Sequence, residues 1–158
     1  MSFRITGLDT SVFQPLVGLP DDALRARNAV RVVADRSPGY PDRIELRDAL
    51  PGEPLLLVNY THQPASSPYR ASHAVFVLEY PRQGYDRVDE VPDVLRSRAI
   101  SLRAFDDAGM IVGAELCSGV ELERPIGALF ADPRAAYIHL HYAKYGCYAC
   151  RVDRVGAA

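Results

Sequence analysis

The sequence predicts one α+β domain built around a mostly antiparallel sheet of about seven strands, with two or three short helices. Short runs rich in Val, Ile, Leu and Phe alternate with clusters of Gly, Pro, Asp and Ser, which is typical of strands joined by turns. Helical periodicity is confined to short segments. A chain of 158 residues lies in the usual size range of a single domain. We therefore expect one domain over residues 1–158.

The first elements follow from local signals. Residues 3–8 read as a short strand, and Asp9 begins a run of cap residues that favours a single helical turn. Pro20 and the two aspartates that follow it suit a helix N-terminus, where carboxylates meet the positive end of the helix dipole. Residues 29–34 contain three valines and predict the next strand.

The middle of the chain predicts two strands and a long loop. Residues 37–42 are dense in turn formers, and a short element is expected at 43–47. Residues 55–61 are apolar without strict alternation, which favours the centre of a sheet, and residues 73–80 are similar. The loop between these strands is longer than a hairpin needs, and loops of that kind are often functional. If the strands pair antiparallel, His62 and His73 lie at the same end of the sheet.

The next segment predicts a hairpin and an amphipathic helix. Residues 81–97 are polar and predict a surface connection with a short helix near 93–96. Strands at 98–105 and 110–117 flank a clear hairpin turn. A stripe at helical spacing then predicts a helix that begins either at a capping box from Ser118 to Glu121 or at Pro125. The stripe consists of Leu122, Ile126, Leu129 and Phe130.

The chain ends in a predicted hairpin that carries most of its reactive side chains. Alternation puts Ile138, Leu140 and Tyr142 on one face of the first strand and Tyr137, His139 and His141 on the other. A three-residue loop at 144–146, with Gly146 at positive φ, would set His141 opposite Ala149. One surface would then hold His139, His141, Cys147 and Arg151.

Composition excludes several classes of function. The net charge of -2 comes without a basic stripe, so we expect no nucleic-acid partner. The segment after Met1 does not resemble a signal peptide, and no apolar run approaches the ~20 residues of a membrane span, so we expect a cytoplasmic protein without membrane contact. Three cysteines, an odd number, favour free thiols in a reducing compartment. The only lysine, Lys144, is predicted in an exposed turn, which argues against pyridoxal-phosphate chemistry.

Several stretches taken together resemble a known family. The most specific are Ser67-Pro68-Tyr69-Arg70-Ala71-Ser72 and the segment Gly146-Cys147-Tyr148-Ala149-Cys150-Arg151-Val152-Asp153, supported by residues 3–8, 57–60 and 62–64. The set is similar to a bacterial family filed in the series of domains of unknown function under number twelve hundred and three, nearly end to end. That resemblance implies a full-length domain and brings no activity, cofactor or catalytic residue. The family pattern can carry cysteine where this chain has Asp42, which puts in doubt any role that needs a thiol there.

His139 and His141 are candidate metal ligands. Two residues apart on a strand, they point the same way with Cα atoms roughly 6.7 Å apart, so both imidazoles can hold one divalent ion. A third ligand would come from His62, His73 or Cys147 if the two regions meet. The simpler interpretation is that the two histidines bind nothing. Cupins bind a metal ion with a similar histidine pair and a glutamate that follows a few residues later. This chain lacks that glutamate.

The long polar loop predicts an anion site. Arg70 offers a planar fork that bonds carboxylates and phosphates in bidentate fashion, although it would serve equally well to fix the loop. The leading hypothesis is that a small polar or anionic ligand binds between the 62–73 loop and the 137–153 hairpin. Its contacts would be Arg70, Tyr69, His62, His73, His139 and His141. The competing hypotheses are a metal-dependent enzyme that uses His139 and His141, and a structural or interaction module whose polar face meets a partner such as a second copy of the chain.

Overall fold

Nine strands and three short α-helices make up the fold in the computed structural model, which describes residues 1–156. The strands are β1 Phe3–Thr6, β2 Ala29–Val33, β3 Pro54–Gln63, β4 Ala71–Leu78, β5 Asp86–Val88, β6 Ala99–Phe105, β7 Ile111–Ser118, β8 Tyr137–Tyr142 and β9 Tyr148–Arg154. The helices are α1 Asp21–Arg25, α2 Asp93–Arg96 and α3 Glu123–Phe130. The predicted class, α+β with mostly antiparallel sheet, is confirmed.

The strands form two sheets rather than one. The larger sheet has six strands in the order β5-β1-β9-β8-β6-β7, and the smaller has three in the order β2-β3-β4. Every pair of neighbouring strands is antiparallel. The apolar strand β3 is central in its sheet, as its sequence predicts. The sequence does not predict β5, because its three residues are all exposed and its polar composition gives no strand signal.

Both faces of the large sheet are covered around β8. Ile138 and Leu140 pack on one side into the core that also contains Ile126, Leu129 and Phe130 of α3. On the other side, Tyr148 of β9 belongs to a second core with Leu56, Val58, Val75 and Val77 of the small sheet. The small sheet therefore lies over the face of β8 and β9 that carries the histidines. Five of the six residues of β8 are buried as a result.

The terminal hairpin differs in register from its sequence prediction near the turn. Gly146 does have positive φ, at 76°, but the N–H of Tyr142 bonds to the carbonyl of Cys147, which makes the loop four residues long, at 143–146. His141 is opposite Tyr148, not Ala149, because the register shifts between His141 and Leu140. The extra residue is absorbed as a β-bulge. Beyond it the predicted alignment holds, with His139 opposite Arg151.

Two other local predictions are corrected. Residues 43–47 form no strand, and Leu46 has φ of 51°, in the left-handed region. Asp42 fixes the conformation of this segment. Its buried carboxylate accepts hydrogen bonds from the N–H groups of Ile44 at 3.1 Å and Leu78 at 2.7 Å. The predicted capping box at Ser118 is also wrong, since that side chain makes no cap bond and α3 begins at Glu123 after a short 3-10 turn.

A buried carboxylate ties the start of the chain to the small sheet, and its contribution depends on pH. Glu79 accepts two hydrogen bonds from Arg31, both 2.8 Å, and one from the N–H of Gly18 at 2.9 Å. The bonds from Arg31 lower the pKa of Glu79 from its ordinary value of 4.5. The folded state therefore binds this proton less readily than the unfolded state, so the stabilisation is complete above about pH 4.5 and is lost as the pH falls further.

We expect the Glu79→Gln variant to lose about 2 kcal/mol of unfolding free energy at pH 7, because a charge-assisted pair becomes a neutral one. Urea denaturation at pH 7 and at pH 3 measures the effect. The difference between wild type and variant should shrink at pH 3, because the unfolded wild-type chain then takes up a proton that the folded carboxylate binds less readily. A difference that stays constant across this range would contradict the assignment.

No helix in the described part of the chain has both the length and the apolar character needed to cross a membrane.

Candidate metal centre

Three histidines from the two sheets meet at one point. His139 and His141 lie on the same face of β8, as alternation along a strand requires. His62 comes from β3 of the small sheet, at a bulge where Thr61 pairs with Ser72 and Gln63 pairs with Ala71. A bulge re-aims a side chain relative to the regular pleat. One ligand atom from each of the three rings lies within 4.8 Å of the others.

Each of the three imidazoles has a buried nitrogen without a hydrogen-bond partner among the described residues. These atoms are Nδ1 of His62, Nδ1 of His139 and Nε2 of His141. The rings themselves are at most 9% exposed. A buried polar atom without a partner costs on the order of 1–3 kcal/mol, so an unexplained set of three in one place is unusual.

The tautomer of His141 follows from one contact. Its Nδ1 lies 3.0 Å from the carbonyl oxygen of Gly146, and a carbonyl can only accept, so Nδ1 carries the hydrogen and donates. Nε2 is then left with its lone pair free. A backbone carbonyl that fixes the ring in this way is the usual outer partner of a metal-bound histidine.

The surroundings keep the three rings neutral. Burial, followed by like charges, lowers the pKa of His62 to about 4 and the pKa values of His139 and His141 to about 3. The charges that contribute are all basic groups, namely Arg103, Arg151, His73 and, within the cluster, His62 and His141. At neutral pH the imidazoles therefore offer lone pairs rather than N–H⁺ groups.

Aromatic rings enclose the cluster. Tyr148 is stacked on His62, with ring centroids 5.3 Å apart and planes 7° from parallel. Phe105 and Tyr137 lie 5.1 Å and 5.2 Å from the ring of His139. This shell limits access of water and lowers the local dielectric constant, which strengthens electrostatic interactions inside the cluster.

The other two residues considered as third ligands do not join the group. His73 is on the inner face of the small sheet, opposite Tyr60, but its ring Nδ1 lies 3.0 Å from the carbonyl oxygen of Ala74. The Sγ of Cys147 accepts a hydrogen bond from Nη2 of Arg43 at 3.0 Å. The geometry therefore favours His62 as the third ligand.

The two loop residues predicted to bind an anion, Tyr69 and Arg70, make contacts outside the group of three histidines. Arg70 is exposed and donates to the carbonyl of Pro64 in its own loop. Tyr69 is 40% exposed and packs edge-on against Phe105, with centroids 6.3 Å apart. The hydroxyl of Ser67 donates to the carbonyl of Gly109 at 2.9 Å, which docks the loop on the β6–β7 turn. The observed contacts of Arg70 correspond to a loop-fixing role.

Sequence analysis did not single out Arg103 of β6 as a neighbour of the cluster. It lies directly opposite His139 in the large sheet and so shares its face. The sequence shows that Arg103 alternates with Leu102 and Ala104 along the strand. It does not show which strand pairs with β6, or in which register. A surface cleft of about 500 Å³ is in a different region and is lined by residues such as Glu45, Asp48 and Tyr85.

The comparisons with known proteins give a family and nothing further. The family model described as "Protein of unknown function (DUF1203)" matches residues 39–154, well over half of the chain. No curated protein and no solved structure matches the chain significantly. The matched region contains the three histidines of the cluster as well as Arg103. The chain belongs to the DUF1203 family of proteins of unknown function.

Proposed function

We propose that this protein is a metal-dependent enzyme in which His62, His139 and His141 hold one divalent cation that activates a water molecule. The observation that carries the proposal is the convergence of three buried rings, with ligand atoms within 4.8 Å of one another, from two different sheets. Because the ligands come from both sheets, the site forms only when the two sheets pack together.

A bound cation accounts for features that a purely structural role leaves unexplained. The unpartnered nitrogens of the three rings would each gain a ligand bond. The pKa values, lowered to about 3 or 4, mean that protons compete little for these lone pairs above pH 5. The bond from His141 to Gly146 holds one ring in a tautomer that can ligate.

The ligand set favours zinc. Three neutral imidazoles suit zinc and its late first-row neighbours, whereas magnesium and calcium prefer oxygen ligands. Structural zinc sites are generally closed by four protein ligands, while catalytic sites have three and keep a position for water. Because imidazoles leave the full charge of the cation uncompensated, a bound water would lose its proton near neutral pH. We infer that the three histidines would hold the cation and that the cation would supply the acidity that makes water a nucleophile near neutral pH.

We place this function in the bacterial cytoplasm. The resemblance given in the sequence analysis predicts a bacterial origin, and the three cysteines Cys117, Cys147 and Cys150 are all free. Free thiols fit a reducing compartment.

Metal titration tests the proposal directly. Protein purified without a histidine tag, stripped with chelator and titrated with Co²⁺ should bind close to one equivalent and develop the visible absorption of a low-coordinate cobalt site. Zn²⁺ should displace the cobalt. We expect His62→Ala to weaken metal binding by at least about 100-fold, because one ligand of three is removed.

The matched control is His73→Ala, which removes a histidine from the same face of the same small sheet without touching the group of three. Its metal affinity should stay within about threefold of the wild type. The proposal fails if Co²⁺, Zn²⁺, Ni²⁺, Fe²⁺ and Mn²⁺ all bind at well under one equivalent. It also fails if the two substitutions weaken binding equally.

A further inference from the structure

Arg103 differs from two other half-buried arginines, Arg98 just before β6 and Arg151 in β9. Arg98 donates to Asp48, with Nη2 to Oδ1 at 2.6 Å, and Arg151 donates to Asp153 at 2.7 Å. Arg103 has no acceptor and no acidic partner within residues 1–156, although burial lowers its pKa. A guanidinium stays charged at every ordinary pH. It is therefore a half-buried positive charge without a protein counter-ion.

The position of Arg103 lies between the histidines and solvent. In the large sheet it pairs with His139 on one side and with Ala114 on the other. Ala114 is exposed, and Leu116, which pairs with Ser101 in the neighbouring row, is 70% exposed. The small sheet thus covers the histidines of β8 but leaves the same face open at β7. Arg103 stands at the boundary between the covered and open parts.

The charge balance at this boundary is one-sided. Arg103 and Arg151 are the two cross-strand neighbours of His139, and only Arg151 is paired with a carboxylate, that of Asp153. A divalent cation on the three rings would add two further positive charges. Such a site attracts anions, and anything that enters from the open side passes the guanidinium before it reaches the metal.

We propose, on the basis of the metal centre above, that the substrate carries a carboxylate that Arg103 binds while the reacting group of the same molecule faces the metal. The planar fork of a guanidinium bonds both oxygens of a carboxylate at once. One guanidinium matches the single charge of a carboxylate, whereas phosphate dianions are usually held by several donors or by a helix N-terminus. Held at one end, a small molecule presents its other end to the metal-bound water in a restricted orientation.

A pair of metal-binding probes that differ by one carboxylate tests the proposal. Acetohydroxamate binds a metal without charge at its far end, whereas the monohydroxamates of malonate and succinate carry a carboxylate there. The Co²⁺-loaded protein is titrated with each, and the visible spectrum is followed. We expect Arg103→Met to weaken binding of a carboxylate-bearing probe about 10- to 100-fold, and to change binding of acetohydroxamate by less than threefold.

Two further variants sharpen the experiment. Arg103→Lys keeps the charge and loses the fork, so its affinity for the carboxylate probe should be intermediate. Arg124→Met removes an exposed arginine from α3, which packs on the opposite face of the large sheet, and should leave both affinities unchanged. The cobalt spectrum and the thermal midpoint of each variant verify that metal site and fold are intact.

The outcomes separate this proposal from the metal centre itself. If Co²⁺ does not bind, both proposals fail. If Co²⁺ binds but Arg103→Met affects neither probe, or affects both equally, only the carboxylate assignment is overturned. It is also overturned if inorganic phosphate displaces the carboxylate-bearing probe more strongly than acetate does. Selective loss of the carboxylate-bearing probe in Arg103→Met supports it.

Discussion

The His139→Phe variant is expected to lose high-affinity metal binding, by at least about 100-fold, while its metal-free form remains at least as stable as the metal-free wild type. The two effects have a common cause. In the absence of metal, the buried Nδ1 of His139 has no partner within the described chain, and such an atom costs on the order of 1–3 kcal/mol. Phenylalanine removes that atom, and the neighbouring rings of Phe105 and Tyr137 can pack against it.

This combination distinguishes a ligand from a structural histidine. Saturating Zn²⁺ should stabilise the wild type, by about 4 kcal/mol at a thousandfold excess over its dissociation constant, and should leave His139→Phe unchanged. Urea denaturation with and without Zn²⁺ gives both values. Phe105→Leu is the matched control, since it alters packing against the same ring but keeps all three ligands, and it should lose stability without losing the response to Zn²⁺.

The opposite pattern would identify His139 as a packing residue. In that case the metal-free His139→Phe variant would unfold more easily than the metal-free wild type by 2 kcal/mol or more, and Zn²⁺ would stabilise neither protein. A stabilising effect of Zn²⁺ that survives in His139→Phe would instead assign the metal to other residues.

The sequence reveals half of the candidate centre. Alternation along β8 correctly separates His139 and His141 from Ile138 and Leu140, because side-chain direction in a strand is a local property. What it does not reveal is that the histidine face is buried. That depends on a second sheet that packs over β8 and β9, and a packing of two sheets leaves no periodic signal in either strand.

The position of His62, on the small sheet, can likewise be predicted only in part from the sequence. The antiparallel pairing of the flanking strands, and hence a neighbouring His62 and His73, follows from their composition. The irregular pairing at His62, where the register shifts between Thr61 and Gln63, cannot be predicted from the residues around it. Whether His62 or His73 completes the group is therefore decided only in three dimensions.

The sequence does not single out Arg103 for a related reason. Arg70 stands in a polar loop, where a sequence suggests ligand contacts, yet it bonds to its own loop at Pro64. Arg103 lies within a strand, between Leu102 and Ala104, and nothing local marks it as unpaired. Its significance comes from its cross-strand neighbour His139, and thus from a register set by contacts far apart in the chain.

Arg43→Met is expected to lower the free energy of unfolding by about 3 kcal/mol or more, which is the larger of the purely structural effects. Arg43 is 1% exposed, and its guanidinium has no carboxylate partner among residues 1–156. It donates instead to the carbonyls of Tyr148 at 2.8 Å and Pro41 at 2.5 Å and to Sγ of Cys147 at 3.0 Å. It also lies over the ring of Tyr142, 4.9 Å from the centroid.

Methionine fills much of the same volume but donates nothing, so the acceptors on Tyr148, Pro41 and Cys147 would be left without partners in a site closed to water. Two of these acceptors, on Cys147 and Tyr148, lie at the turn end of the terminal hairpin. Loss of their hydrogen bonds should loosen the start of β9, where Tyr148 stacks on His62. Urea denaturation of Arg43→Met measures the effect, with the exposed Arg36→Met expected within 0.5 kcal/mol of the wild type. A loss in Arg43→Met no larger than that of Arg36→Met would mean that these bonds merely replace bonds to water, with no net gain from folding.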